Sequence, residues 1–133
     1  MTPEIEAQYQ AIADVLRQAL DDRFATSWVY AEMLEGTGVT SAYYEDAAGA
    51  LHFLDDDMVN LALYRAFAKL RQLWSAEFDQ AWSTATYTVG SDGKFAIDFG
   101  YADVSDAGLT FERRDNWERQ QFGDRKISTV SAG

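Results

Sequence analysis

Residues 82–101, WSTATYTVGSDGKFAIDFGY, read as a β-hairpin. Ser83, Ala85, Tyr87 and Val89 alternate with Trp82, Thr84, Thr86 and Thr88, and Phe95, Ile97, Phe99 and Tyr101 alternate with Lys94, Ala96, Asp98 and Gly100. A period of two places successive side chains on opposite faces of a strand. Gly90-Ser91-Asp92-Gly93 supplies the turn. Asp92 suits it because its carboxylate accepts local backbone bonds, and Gly93 because it tolerates positive φ.

Upstream, Asp55-Asp56-Asp57 precede a helical stretch from about Met58 to Phe78, with Leu63, Phe67, Leu70, Trp74 and Phe78 on one stripe. Three acids before a helix suit an N-cap and the positive end of the helix dipole. Further upstream, Trp28, Val29 and Tyr30 start a strand-forming run from Ser27 to Met33. Glu35-Gly36-Thr37-Gly38 is a turn signal, Val39 to Tyr44 the returning strand, and Leu51 to Leu54 a short third strand. The chain opens with Thr2 as N-cap and Pro3 at the first helical position. Ile5, Tyr9, Ile12, Leu16 and Leu20 then form the apolar stripe of a helix of about 18 residues, ended by Asp21-Asp22. Downstream, Thr110 to Phe122 reads as a short helix stopped at Gly123.

The order α-β-β-β-α-β-β-α predicts an α+β fold, an antiparallel sheet of about five strands packed on two long helices. Its other face would carry Trp28 or Tyr30, with Thr84, Thr86 and Asp98. Residues 1–123 form the expected single domain, and the polar residues 124–133 a frayed tail.

Charge is the strongest compositional signal. The 133 residues carry 22 acids and 11 Lys or Arg, a net −11. Residues 1–93 hold 15 acids and 5 bases, so the acidity sits in the first two-thirds. Such a field repels phosphate backbones, so no direct nucleic-acid binding is expected, whereas a basic partner would be steered toward it. There is no cysteine, which excludes disulfides, thiolate metal sites and cysteine nucleophiles. No apolar run reaches the roughly 18–20 residues of a membrane span, and the acidic, polar start MTPEIEAQYQ lacks a targeting pattern. The expected location is cytoplasmic.

Catalytic patterns are missing. His52 is the sole histidine, and it sits beside Phe53 in a strand-like segment, which suits a structural role. The Asp55–Asp57 run lacks the spacing of a calcium loop, and phosphate-loop, nucleophile-elbow and His-Glu-x-x-His motifs are absent. No metal or cofactor is expected, and no catalytic residue is assigned.

The hairpin also carries a resemblance. Trp82-Ser83-Thr84-Ala85-Thr86-Tyr87-Thr88, then Asp92-Gly93-Lys94-Phe95, Asp98-Phe99 and Tyr101-Ala102-Asp103, resembles the YezG-like immunity protein family. Glu112-Arg113-Arg114, followed by Trp117 and Phe122-Gly123, extends the likeness, as do Trp28 and Tyr43-Tyr44, over about residues 3–123. The resemblance implies a bacterial intracellular antitoxin that binds and inhibits a cognate polymorphic toxin domain, often a nuclease, and is not itself an enzyme. The partner would be a basic toxin domain, with the chain a monomer or weak homodimer. Beside this stands an alternative, a small ligand-binding or enzymatic domain with a pocket between sheet and helices.

From charge location, Glu32, Glu45, Asp46, Asp55, Asp56 and Asp57 are the candidate partner-binding acids, because strand ends and the loop before the second helix can protrude. Arg113 and Arg114 suit either a partner's carboxylate or phosphate or a tie from the last helix to Asp98 or Asp103. The internal tie is favoured, since bidentate Arg–carboxylate pairs suit partly buried positions. Trp117 reads as a packing anchor.

Overall fold

The computed structural model describes residues 2–21 and 23–131. The elements run α1 (Pro3–Leu20), β1 (Thr26–Leu34), β2 (Thr37–Glu45), β3 (Leu51–Leu54), α2 (Asp57–Phe78), β4 (Thr84–Gly90), β5 (Phe95–Gly100), a single 3-10 turn (Ala107–Leu109), α3 (Thr110–Phe122) and β6 (Ile127–Val130). The fold is mixed α+β.

Local chemistry sets the helix starts. The Thr2 hydroxyl accepts the Ile5 N–H at 3.2 Å. The Asp56 carboxylate accepts the Met58 and Val59 N–H groups, both at 3.0 Å. Helix α1 closes at Asp21, and Asp22, its other expected stop, lies outside the described residues.

One sheet of six strands runs β5-β4-β1-β2-β3-β6. Val29, Ala31 and Met33 face α1 and α2, together with Ala42, Leu54, Ala85, Tyr87 and Val89, and make the main core with the α1 stripe and Leu63, Phe67 and Leu70. Trp28 and Tyr30 therefore share the other face with Tyr43, Thr84, Thr86 and Asp98.

Several expectations are corrected. The strand count is six, because part of the polar tail, Ile127–Val130, pairs in parallel with β3 from Leu51↔Ile127 to Leu54↔Val130. Two long helices cover one face, and the expected short helix α3 packs on the opposite one, where Trp28, Tyr43, Phe53, Trp117 and Phe122 form a second cluster. The first hairpin turn is tighter than expected, since Leu34 already pairs with Thr37. The α2 stripe outruns the core: Phe78 is 46% exposed, with its ring centroid 4.5 Å from that of Trp74.

In the β4–β5 turn, Gly93 sits at φ +85° while the Asp92 carboxylate accepts the Lys94 N–H at 3.0 Å. A Cβ on Gly93 would also press on the Arg17 guanidinium. Gly93→Val should therefore cost about 1 kcal/mol or more, through the left-handed backbone alone. Thermal melting checks this, and an unchanged curve would contradict it.

Candidate functional site

The strand period puts Trp28, Tyr30 and Glu32 on one side of β1, so an acid follows two aromatics onto a face that α3 covers. Glu32 is only 4% exposed. A carboxylate there needs a charged partner, and α3 supplies Arg113. Its Nε donates to Glu32 Oε2 at 2.8 Å and its NH2 to Oε1 at 3.0 Å, a bidentate pair. The Tyr30 hydroxyl adds a third bond to Oε2 at 2.6 Å. Burial, and then the Glu32 carboxylate, push the Tyr30 phenol well above its ordinary range. The hydrogen bonds to Glu32 raise Arg113 further. Arg113 also donates to the Val104 and Asp106 carbonyls, at 3.3 and 3.0 Å, which fixes the loop before α3.

The internal tie of the Glu-Arg-Arg run thus exists, with a different acceptor. Asp98 is exposed on β5, and Asp103 accepts from the backbone and hydroxyl of Ser105. Glu112 is exposed in the first turn of α3. Trp117 stacks on Tyr30 with ring centroids 5.2 Å apart, and its indole N–H donates to Thr86 Oγ1 at 2.9 Å.

Beside this network a groove of about 540 Å³ opens between the start of α2, the β1–β2–β3 face and the start of α3. Tyr30, Phe53, Asp55, Asn60, Phe111 and Arg114 are among its walls. The Arg114 guanidinium lies over the Phe53 ring at 5.1 Å and the Phe111 ring at 5.3 Å. Such cation–π contacts hold a charged side chain against apolar surface. Phe111 is 71% exposed, a large ring at the mouth of the groove. The nearby first turns of α2 leave Met58 and Leu61 exposed as well.

The six candidate acids separate into different environments. Glu32 is taken up inside the fold. Glu45 pairs with Arg125 at 2.8 Å. Asp46 closes its own turn by accepting the Ala48 and Ala50 N–H groups, and it meets His52 Nε2 at 2.8 Å. The His52 bond, then the backbone bonds, hold the Asp46 carboxyl below the usual range. Asp56 is used as the α2 cap. Asp55 and Asp57 present their carboxylates at the surface, and Asp55 lies on the groove wall. Glu32 and Glu45 stand at opposite ends of the first hairpin, since Glu32 pairs with Val39 and Glu45 with Thr26. That is roughly 20 Å at about 3.3 Å per residue. Glu32, Glu45 and Asp46 therefore make no single patch.

Trp82 is fully buried against Phe99, with centroids 5.0 Å apart, and Tyr101 is exposed just past β5. Among the described residues, no group of three or more His, Asp or Glu side chains is placed to hold a metal ion. No helix of the described chain is long and apolar enough to cross a membrane. The groove and Phe111 escaped sequence reading because three distant segments build them. The one available signal was a large aromatic at 111 in the first turn of α3, three helical turns before Phe122.

Comparison with known proteins supplies the context. A family model described as immunity protein YezG-like matches residues 5–130. The immunity protein YezG of Bacillus spizizenii is 24% identical over 138 aligned positions, which span 92% of this chain and 84% of that protein.

Proposed function

The chain belongs to the YezG-like immunity protein family, and on that premise we propose that it is an antitoxin. It would bind a cognate toxin domain inside the cell and inhibit it by covering its working surface. It would act stoichiometrically, not as an enzyme. The observation that carries this reading is the exposed Phe111 beside the Asp55 wall of the groove. An exposed aromatic next to acids is what a basic protein surface would select, the ring as an anchor buried on binding and the acids as guides. A nuclease toxin would fit, because a site that grips phosphates is lined by Lys and Arg.

Two kinds of change separate steering from anchoring. Converting Asp55, Asp56 and Asp57 to Asn should slow association several-fold at low salt and leave folding nearly intact, since Asn also caps helices well. Raising ionic strength should reduce the wild-type association rate, because screening at about 0.15 M acts over roughly 8 Å. Glu45→Gln with Asp46→Asn is the comparison pair, without Glu32, whose loss would damage the fold. Phe111→Ala should instead speed dissociation. Stopped-flow binding to the cognate toxin domain reads all of these. Rates insensitive to salt and to both sets of acids would remove the electrostatic mechanism.

A further inference from the structure

The outer edge of β5 is a second surface with defined chemistry. The Lys94 carbonyl accepts the Gly90 N–H and the Gly100 carbonyl accepts the Ser83 N–H, both at 2.9 Å. Bonding residues alternate along an antiparallel ladder. Lys94, Ala96, Asp98 and Gly100 therefore turn their backbones toward β4, and Phe95, Ile97 and Phe99 turn theirs outward. Among the described residues, β5 pairs with β4 alone.

Proteins usually blunt such an edge with proline, a bulge, brevity or charge, and of these β5 has charge, at Lys94 and Asp98. Here the register runs unbroken from Thr84↔Gly100 to Val89↔Phe95, and there is no proline. The opposite edge, β6, is shorter at 4 residues against 6 for β5. The edge is also held rigid. Phe95 packs on Tyr9 and Tyr87 at 5.4 and 5.6 Å, and Phe99 on Trp74 and Trp82 at 4.6 and 5.0 Å. A strand template already fixed in shape loses little entropy when another strand joins it.

Charge selects the occupant. Asp98 stands exposed at mid-strand on the α3 side of the sheet. A second copy, paired about Ile97, would set the two Asp98 side chains diagonal to one another at roughly 7–8 Å, each also diagonal to the other copy's Lys94, so the local charges nearly offset and the overall charge decides. That charge is −11 on each chain. A basic strand meets the opposite condition. We propose that β5 receives an extended segment of the toxin domain as a seventh strand, with a Lys or Arg of that segment beside Asp98. This rests on the antitoxin reading.

The test uses the full chain and a catalytically inactivated cognate toxin domain. Backbone hydrogen exchange at Phe95, Ile97 and Phe99 should slow at least tenfold in the complex. Asp98→Lys should weaken binding at least tenfold. Ile97→Pro should do the same, since the N–H it removes points away from β4, and Asp98→Lys stands alone if the proline variant fails to fold. A complex in which those three amides exchange as in the free chain, with Asp98→Lys binding normally, overturns the edge and leaves the antitoxin reading intact. No complex at all overturns both. Concentration-dependent protection in the chain alone, with a dimer in sedimentation, assigns the edge to a second copy and overturns the proposal.

Discussion

Replacing Arg113 with Met should destabilise the fold by about 3 kcal/mol or more, because it strands a buried carboxylate. Glu32 loses both guanidinium bonds and keeps only the Tyr30 hydroxyl. The Val104 and Asp106 carbonyls lose a donor as well, so the loop before α3 loosens. Against a total stability of about 5–15 kcal/mol, this is a large fraction. Adding Glu32→Leu should recover at least half of the loss, since an apolar pair of similar volume avoids the desolvation cost of the charges. Urea unfolding of the two single variants and the double gives the coupling directly. A double variant no more stable than Arg113→Met would place the effect in the loop carbonyls and the newly unpaired Tyr30 hydroxyl, and not in the stranded carboxylate.

Trp117→Ala should cost about 3 kcal/mol and act mainly on α3. The 13-residue helix carries only Phe111, Trp117 and Phe122 as large apolar residues, and one of these points into solvent. A helix that short gains little from propensity and depends on its packed face. Trp117 supplies most of that face, touching Tyr30, Tyr43 and Phe122 at 5.2, 5.1 and 5.5 Å. Removing a large aromatic from such contacts loses transfer energy and leaves a cavity. Hydrogen exchange should therefore accelerate strongly across residues 110–122 and little in α1. Trp117→Phe, which keeps a ring but loses the bond to Thr86, should cost about 1 kcal/mol. Equal acceleration in both helices would show that the two faces of the sheet unfold as one unit.

The parts of the fold that local chemistry determines were legible in the residues. The α1 stripe, the Asp56 cap, the β4–β5 hairpin and the Gly123 stop each depend on spacing within a few positions. What escaped depends on distance in sequence. Ile127–Val130 is a strand only because β3 waits 76 positions away, and its four residues are too few to declare a period. Arg113 finds Glu32 across 81 positions. Even so, an acid two places beyond Tyr30 and four beyond Trp28 on a strand was a sign that a base must come from elsewhere. The six acids looked alike because composition reports charge and not exposure. The structure divides them by the hydrogen bonds each already makes.

The parallel pairing of β3 with β6 also sets an order of events during synthesis. Chains are made at roughly 5–20 residues per second. The 76 positions from Leu51 to Ile127 therefore take about 4–15 s to emerge. Throughout that interval β3 is a bare strand edge, and until Thr110–Phe122 follow, the aromatic face formed by Trp28, Tyr43 and Phe53 lies uncovered. The nascent chain is consequently most prone to association while residues 110–130, which supply α3 and β6, are still to come. A chain held with Gly100 already clear of the ribosome would be an intermediate whose main core can form while its second face stays open.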